Sequence, residues 1–401
     1  MRRPAARCIA DNAPMLWHIF CKVIDNYGDI GVCWRLACDL AARGEQVRLW
    51  VDDPSALVWM APAASESAAG AERAKGVDIQ LWPKFFQKSH FENPSKFPFF
   101  SLFNVFIESF GCEINPEYIA KYVNYSRLEA ESYLQWINLE YITAEPCSET
   151  HHTLPSPVQS GPGKGLAKYF YYPGFTPRTG GLLREPDMLQ RQADFDRALW
   201  LQAQGIRWHG ELLVSLFCYE PRALGALFDQ LANGPGPVKL LITAGRARAA
   251  VEAWFANRMG RSSSPMVRGQ LSFVYLPKLT QLAYDELLWT CDLNFVRGED
   301  SLVRAIWAGK PFVWQIYPQD DNAHHAKLNA FLQVLGADAS LASFHHAWNG
   351  MTAHTAPAAL PTINLAAWGD IATQARDRWL SHTDLTAQLL AFVAKQAPKK
   401  R

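Results

Sequence analysis

Residues 16–40 read LWHIFCKVIDNYGDIGVCWRLACDL, and this stretch decides the fold. Its first part, residues 16–23, is an almost continuous apolar run that predicts a buried strand. Its last part, residues 32–40, repeats apolar residues at helical spacing. A glycine-containing turn, residues 25–31, joins the two. Open α/β sheets bind ligands where a strand passes through such a turn into a helix, so the stretch predicts an α/β protein with a site there.

The turn itself is acidic. Asp25 and Asp29 stand where a dinucleotide-binding turn has three glycines. Two carboxylates favour a polar or cationic group over the phosphates of a dinucleotide. The same residues also suit a purely structural role, with Asp29 as a helix cap and Asp25 as a turn residue. The turn alone leaves both interpretations open.

The rest of the chain alternates between strand and helix patterns. Apolar runs predict strands over 46–51, 77–81, 102–107, 134–139, 212–217, 238–243, 293–296 and 312–316. Pro221 is expected to open a helix through Leu231, and Thr280 and Ser301 are expected to cap helices. Residues 148–185 are crowded with proline and glycine and predict a long connection with few regular elements.

Two α/β domains account for this order of elements. A chain of 401 residues is long for one core. We predict two Rossmann-like, doubly wound domains that face each other across a cleft, the first over residues 1–185 and the second over 186–376. The amphipathic tail, about 377–398, is expected to form a helix that packs back on the first domain.

Composition excludes several classes of partner. A formal net charge of +1 argues against a nucleic-acid surface or an anionic membrane surface. No run approaches the roughly 18 apolar residues of a membrane span. The eight cysteines form no C-x-x-C pair and no zinc spacing, so we expect reduced thiols and a cytoplasmic protein.

A second turn, Arg297-Gly298-Glu299-Asp300-Ser301, follows the strand that ends at Val296. It is predicted to open a helix, and the free N–H groups of a helix N-terminus suit a phosphate. In that interpretation the N–H groups of Asp300 and Ser301, with the Ser301 hydroxyl, hold phosphate oxygens, and Glu299 points at sugar hydroxyls. The alternative is that Asp300 and Ser301 only cap the helix.

Other candidates are weaker. Phe217 and Tyr219 flank the end of a strand, where a nucleobase can stack, although core packing explains such residues equally well. Residues 243–246 end a strand and can contact a phosphate or simply terminate the strand. No metal site is predicted, because the adjacent His324 and His325 cannot share a helix face.

Five segments together resemble one family, the protein-arginine rhamnosyltransferases that modify bacterial elongation factor P (the EarP family). The resemblance extends from Trp17 onward, in the expected order. Its segments are residues 20–32, FCKVIDNYGDIGV; 136–141, WINLEY; 173–185, PGFTPRTGGLLRE; 297–301, RGEDS; and 316–320, IYPQD.

The resemblance implies a GT-B glycosyltransferase that needs no metal or other cofactor. Such an enzyme transfers L-rhamnose from dTDP-β-L-rhamnose, with inversion, to one arginine on the N-terminal domain of elongation factor P. This post-translational modification activates the factor for translation through polyproline stalls. The resemblance thus names two partners, the sugar nucleotide and the factor, with the acceptor on the first domain and the donor on the second.

The family pattern also assigns residues. Asp29 is implied as the general base and Asp25 as its partner in holding the acceptor guanidinium, a delocalised cation that two carboxylates can orient and deprotonate. An aromatic that some relatives have near Gln281 corresponds here to Lys278 or Tyr275. The implied donor contacts are Asn26, Tyr27, Gly28, Phe217, Tyr219 and Gln281 (the last three around the thymidine), Arg297, Glu299, Asp300, Ser301, and Tyr317 near the diphosphate.

Two other functions remain open from the residues. One is a GT-B enzyme that uses another sugar nucleotide and another acceptor, such as a lipid or glycan. The other is a non-catalytic nucleotide-binding adaptor, which would keep the phosphate turn but need neither Asp25 nor Asp29.

Overall fold

The computed structural model describes residues 15–23, 27–62, 76–82, 100–129, 131–259, 267–319, 322–351 and 360–397. Two residues assigned to the site, Asp25 and Asn26, lie outside these ranges. Within them, no helix is both long enough and apolar enough to cross a membrane.

The first half of the chain builds a seven-stranded sheet. Its strand order is β3-β2-β1-β4-β5-β7-β6, and every pair is parallel except β6 with β7. The strands are β1 (Leu16–Cys21), β2 (Gln46–Val51), β3 (Val77–Leu81), β4 (Phe103–Ser109), β5 (Tyr133–Leu139), β6 (Pro155–Pro157) and β7 (Ala167–Tyr171).

The second half builds a six-stranded sheet. Its order is β10-β11-β9-β8-β12-β13, and only β10 runs antiparallel to its neighbour. The strands are β8 (Leu212–Leu216), β9 (Val238–Ile242), β10 (Val267–Arg268), β11 (Leu271–Tyr275), β12 (Leu293–Arg297) and β13 (Phe312–Gln315).

Helices connect the parallel strands, as such sheets require. Over the described residues they are α1 (Gly28–Ala42), α2 (Leu57–Met60), α3 (Pro116–Leu128), α4 (Pro146–His151), α5 (Met188–Ala193), α6 (Arg197–Ala203), α7 (Leu224–Ala232), α8 (Arg246–Met259), α9 (Gln281–Thr290), α10 (Asp300–Ala308), α11 (Ala323–Leu335), α12 (Ala339–Trp348), α13 (Leu365–Leu380) and α14 (Leu385–Gln396).

Both sheets reverse their strand order at one point, and this positions the site. In the first sheet β1 lies between β2 and β4, and in the second β8 lies between β9 and β12. Loops that follow the strands on either side of such a point diverge and leave a crevice. The acidic turn follows β1, and the phosphate-type turn follows β12.

The last helix belongs to the first core. Leu385, Leu389 and Val393 of α14 are buried among the residues of that core, and Arg43 binds the helix cap Asp384 at 2.8 Å. The preceding helix, α13, instead buries Trp368 in the second core. The chain therefore returns to its first sheet just before α14. The functions assigned to the two domains stay predictions.

All nine predicted strands are confirmed, with ends that move by up to two residues. The Thr280 cap is confirmed as well, because its hydroxyl accepts the N–H of Ala283 at 3.1 Å. Two helix starts were wrong. The helix placed from Pro221 begins at Leu224, after a turn. Ser301 lies inside α10, because Glu299 is the N-cap residue and the Ser301 hydroxyl bonds the backbone of Arg297 instead.

The expected connection over 148–185 contains more structure than predicted. Residues 167–171 form β7, which pairs in parallel with β5 and extends the first sheet. Three consecutive aromatics, Tyr169, Phe170 and Tyr171, fit a strand because bulky side chains pack well on a pleated surface. The surrounding prolines and glycines concealed that signal. Strand β11, over 271–275, was not predicted at all.

His345 makes the stability of the second domain depend on pH. It is fully buried, and burial lowers its pKa to about 4. Its Nε2 accepts the N–H of Trp314 at 3.0 Å, which requires the neutral ring. Below pH ~6.5 the histidine binds a proton in the unfolded chain but stays neutral in the folded chain. The free energy of unfolding therefore decreases as the pH is lowered from ~6.5 to ~4.

We expect this histidine alone to lower the free energy of unfolding by about 1 kcal/mol between pH 7.5 and 5.5. Urea unfolding at the two pH values measures the effect in the wild type, in His345→Gln and in the exposed control His209→Gln. An equal drop in wild type and His345→Gln would contradict the assignment.

Candidate functional site

One cleft lies between the two sheets and collects most of the predicted site. Its lining from the first domain comes from the start of α1 and from α2, and its lining from the second comes from the loops after β8, β9, β11 and β12. Nine predicted residues line it: Tyr27, Gly28, Phe217, Tyr219, Gln281, Arg297, Glu299, Asp300 and Ser301.

Asp29 lies at the N-terminal end of α1. Its side chain is 3% exposed, and Tyr141 donates its hydroxyl hydrogen to Asp29 Oδ1 at 3.1 Å. A carboxylate in the first turn of a helix is favoured by the helix dipole. Tyr141 follows β5 and stacks on Phe110 with ring centroids 4.6 Å apart. The predicted base is thus held by a residue from a neighbouring strand end.

Glu299 bridges the two domains. The backbone N–H of Ile142 donates to Glu299 Oε2 at 2.9 Å, and Lys327 Nζ lies 2.5 Å from Glu299 Oε1. Burial raises the pKa of Glu299, and Lys327 offsets part of that rise. The nearby charge of Asp29 raises this pKa further, so the two carboxylates share one electrostatic environment. The predicted contact of Glu299 with sugar hydroxyls stays a prediction.

The carboxylate of Asp300 points into the domain junction. Arg35 of α1 binds it, with Nε 3.1 Å from Asp300 Oδ1. The Ser301 hydroxyl accepts the Arg297 N–H at 3.1 Å and donates to the Arg297 carbonyl. Because Arg35 neutralises the Asp300 carboxylate, this carboxylate is compatible with a phosphate bound at the N-terminus of α10.

The two aromatic residues after β8 hold an arginine. The guanidinium carbon of Arg297 lies 4.6 Å from the ring centroid of Phe217 and 4.6 Å from that of Tyr219. Arg246, the first residue of α8, lies 4.7 Å from the same Tyr219 ring. These rings therefore orient cations at the cleft. Their predicted position around a thymidine stays a prediction.

Gln281 ties the second domain to the acidic turn. Its Nε2 donates to the carbonyl of Gly31 at 2.9 Å, and its own carbonyl accepts Arg35 Nη2 at 3.3 Å. Tyr317 lies beside the cleft, 49% exposed and edge-on to Tyr219 with ring centroids 5.6 Å apart.

Of the two residues considered near Gln281, one lies at the cleft. Lys278 lines it, with Nζ 5.3 Å from the ring centroid of Trp59 in the first domain. The ring of Tyr275 is covered by Arg248, at 5.2 Å. Lys278 rather than Tyr275 therefore faces the cleft.

A buried ion-pair network fixes the junction beneath the site. Asp285 binds Arg35 at 3.0 Å and Arg304 at 2.7 Å, and Glu185 binds the same two arginines at 3.1 and 2.6 Å. Burial raises the pKa of Glu185, but Arg304 and Arg35 outweigh it and hold that pKa well below its ordinary value. These four side chains join α1, α9, α10 and the connection before α5.

Sequence reasoning missed Tyr141, Lys327 and the arginines of the network as site residues. Tyr141 gave a usable signal, because it follows a strand whose carboxyl end faces the same crevice as β1. Arg35 also gave a usable signal, because it is a charged residue in an otherwise apolar segment of α1. Within the described ranges, no group of three or more His, Cys, Asp or Glu side chains is arranged to hold a metal ion.

Comparison with known proteins identifies similar chains. The model of the family described as Elongation-Factor P (EF-P) rhamnosyltransferase EarP matches residues 17–394. A protein-arginine rhamnosyltransferase of Pseudomonas putida is 43% identical over 346 residues, which cover 83% of this chain and 86% of that protein. Its counterpart in Pseudomonas aeruginosa is 39% identical over 391 residues, or 94% and 98% of the two chains.

A solved structure agrees. It concerns EarP-mediated arginine glycosylation of translation elongation factor EF-P, and it superposes with a TM-score of 0.60 at 30% sequence identity. The match covers 95% of this chain and 99% of the other.

Proposed function

The chain belongs to the EarP family of elongation factor P rhamnosyltransferases, and we propose that it transfers L-rhamnose from dTDP-β-L-rhamnose to one arginine of elongation factor P. It has the GT-B fold and is a protein-arginine rhamnosyltransferase. One observation supports the finer proposal: Tyr27 and Gly28, next to Asp29, and the cationic turn around Arg297 line one cleft from the two domains, and the charge of Asp29 acts on Glu299 of that turn.

The second domain suits the diphosphate of the donor. Arg297 brings a guanidinium to the cleft, and α10 starts there with free backbone N–H groups. Gly245, with a φ of 91°, turns the chain into α8, where Arg246, whose guanidinium binds Glu220, also lines the cleft. Arginine forks suit phosphate oxygens and stabilise the charge of a departing diphosphate.

Arg297→Ala should weaken dTDP binding about 10- to 100-fold, because a charge-assisted bond to phosphate contributes roughly 1.5–3 kcal/mol. Isothermal titration with dTDP measures the loss. Arg297→Lys keeps the charge but lacks the planar guanidinium, so its dTDP affinity should lie between those of the wild type and Arg297→Ala. The exposed control Arg207→Ala should bind dTDP with wild-type affinity. Wild-type affinity in Arg297→Ala would contradict the phosphate assignment.

The first domain suits the acceptor. A guanidinium is a poor nucleophile because its cation is delocalised, so it must be held and deprotonated as the new bond forms. Asp29 supplies a fixed carboxylate, and Asp25, four residues earlier in the sequence, supplies its predicted partner.

The proposed step is a single displacement with inversion. A terminal nitrogen of the arginine attacks the anomeric carbon of rhamnose on the face opposite dTDP, and the bond from that carbon to the diphosphate oxygen breaks. Asp29 takes the proton that the nitrogen loses, and dTDP leaves with the bonding electrons. No enzyme nucleophile is required. We propose that Arg297 and the N-terminus of α10 stabilise the leaving group without a metal.

The acceptor follows from family membership. The family and the similar solved structure both concern elongation factor P. We propose that the modified arginine lies on the N-terminal domain of this factor, that the reaction takes place in the cytoplasm, and that it activates the factor for translation of polyproline stretches.

Release of dTDP from dTDP-β-L-rhamnose, with and without elongation factor P, separates the candidate functions. The proposal predicts release that depends on the factor and persists in EDTA. Release that is independent of the factor would indicate a glycosyltransferase with another acceptor. Binding without any release would indicate a nucleotide-binding adaptor.

A further inference from the structure

Lys327 is a cation of the site that the proposed reaction does not yet use. It lies on α11, and its Nζ contacts Glu299 Oε1 at 2.5 Å. The same Nζ lies 5.7 Å from the ring centroid of Tyr141, the residue that donates to Asp29. Lys327 therefore binds one carboxylate, Glu299, and lies beside the tyrosine that binds the other, Asp29.

The two carboxylates are held by adjacent residues of one segment. Tyr141 donates its hydroxyl hydrogen to Asp29 at 3.1 Å, and Ile142 donates its backbone N–H to Glu299 at 2.9 Å. Movement of either carboxylate thus disturbs the support of the other. Lys327 fixes the one oxygen of Glu299 that Ile142 does not bind.

An acceptor guanidinium entering this cleft meets two acids that can attract it. If Glu299 took the guanidinium, its nitrogen would be drawn from the position in which Asp29 can accept its proton. An ammonium bound directly to Glu299 satisfies that charge and leaves Asp29 as the carboxylate to which the guanidinium is drawn.

We propose that Lys327 is a positioning residue for arginine rhamnosylation, which holds Glu299 against the backbone of Ile142 and so directs the acceptor guanidinium to Asp29. The inference rests on the proposed role of Asp29 as general base. It adds a residue on α11, in the second domain, to the control of acceptor chemistry in the first.

The charge of Lys327 also affects how the site titrates. Burial raises the pKa of Glu299, and Lys327 opposes that rise. Burial likewise raises the pKa of Glu140, at the end of β5, and Lys327 opposes it there too. Loss of the lysine therefore lets both acids keep their protons to higher pH. Lys327 from α11 and Asp29 from α1 act on the pKa of Glu299, and Glu140 after β5, Asp300 and Arg304 of α10 line a small cavity with it.

The test is Lys327→Met, assayed for transfer to elongation factor P and for dTDP binding. We expect kcat to fall about 10- to 100-fold, the scale of a misplaced catalytic geometry, with dTDP affinity unchanged within about twofold. The rate deficit should shrink as the pH falls, because Glu299, whose pKa is higher without the lysine, then becomes protonated and no longer attracts the guanidinium. Lys327→Arg should restore most of the rate and the wild-type profile, because it restores the cation.

Lys164→Met, in the exposed loop between β6 and β7, is the matched control and should keep wild-type kcat. Wild-type kcat in Lys327→Met, a loss of rate that does not shrink as the pH falls, or a loss of dTDP affinity would each overturn the inference while the proposed function stands. A wild-type protein that modifies no arginine of elongation factor P would instead overturn the proposed function, and the role of Lys327 with it.

Discussion

Asp29→Asn is expected to lower kcat for rhamnose transfer by about 10²- to 10⁴-fold, the range for loss of a general base. The amide keeps the size of the side chain and can still accept the hydrogen bond from Tyr141. It cannot take a proton from the acceptor nitrogen. Because the diphosphate contacts proposed for the donor lie on the second domain, dTDP affinity should stay near the wild-type value.

Single-turnover transfer and dTDP titration of the same preparation separate these two effects. Asp370→Asn, in an exposed position on α13, is the matched control and should transfer at the wild-type rate. Transfer by Asp29→Asn at a rate close to wild type would show that another group accepts the proton.

Asp285→Ala should lower the free energy of unfolding by about 3–5 kcal/mol, the scale for removing one partner of a buried ion pair. Asp285 is 1% exposed and binds Arg35 and Arg304, both of them buried. Its removal leaves Glu185 as the principal anion shared by two buried guanidinium groups. Since Arg35 also binds Asp300, donor affinity should fall together with stability.

Urea unfolding measures the loss. Glu252→Ala provides the comparison, because the Arg248–Glu252 pair is about half exposed on both sides and should contribute less than about 1 kcal/mol. Asp285→Asn keeps the volume of the side chain but not its charge, so its free energy of unfolding should lie between those of the wild type and Asp285→Ala. A loss in Asp285→Ala no larger than that in Glu252→Ala would contradict the role given to the network.

Local sequence patterns were sufficient to predict the frame of the molecule. Strands β1 and β12 are recognisable in the sequence as apolar runs, and each is followed by a polar turn that begins a helix. That order fixes where a doubly wound sheet binds its ligand. The acidic turn and the Arg297 turn were therefore found from residue order alone.

The partners of those residues could not be found in this way. Arg35 and Asp300 are 265 positions apart in the chain, and Ile142 and Glu299 are 157 apart. No local period links such pairs, because they meet only after both domains have folded and docked. Lys327 follows two histidines that draw attention to metal binding, whereas its own contact is a carboxylate from another helix start.

The structure also changes the chemistry read from the second turn. Its two acids looked unsuited to a phosphate site until their partners were visible. Asp300 pairs with Arg35 and Glu299 pairs with Lys327, so both carboxylates have cations of their own. The start of α10 and the guanidinium of Arg297, which both line the cleft, are the groups that we propose for the donor.

The most direct test of the central claim is the intact mass of elongation factor P after incubation with this protein and dTDP-β-L-rhamnose. We predict a mass increase of one deoxyhexose, which fragmentation assigns to a single arginine. Asp29→Asn should produce almost none of it in the same time. An unchanged mass with the wild-type protein, under conditions in which it binds dTDP, would contradict the account.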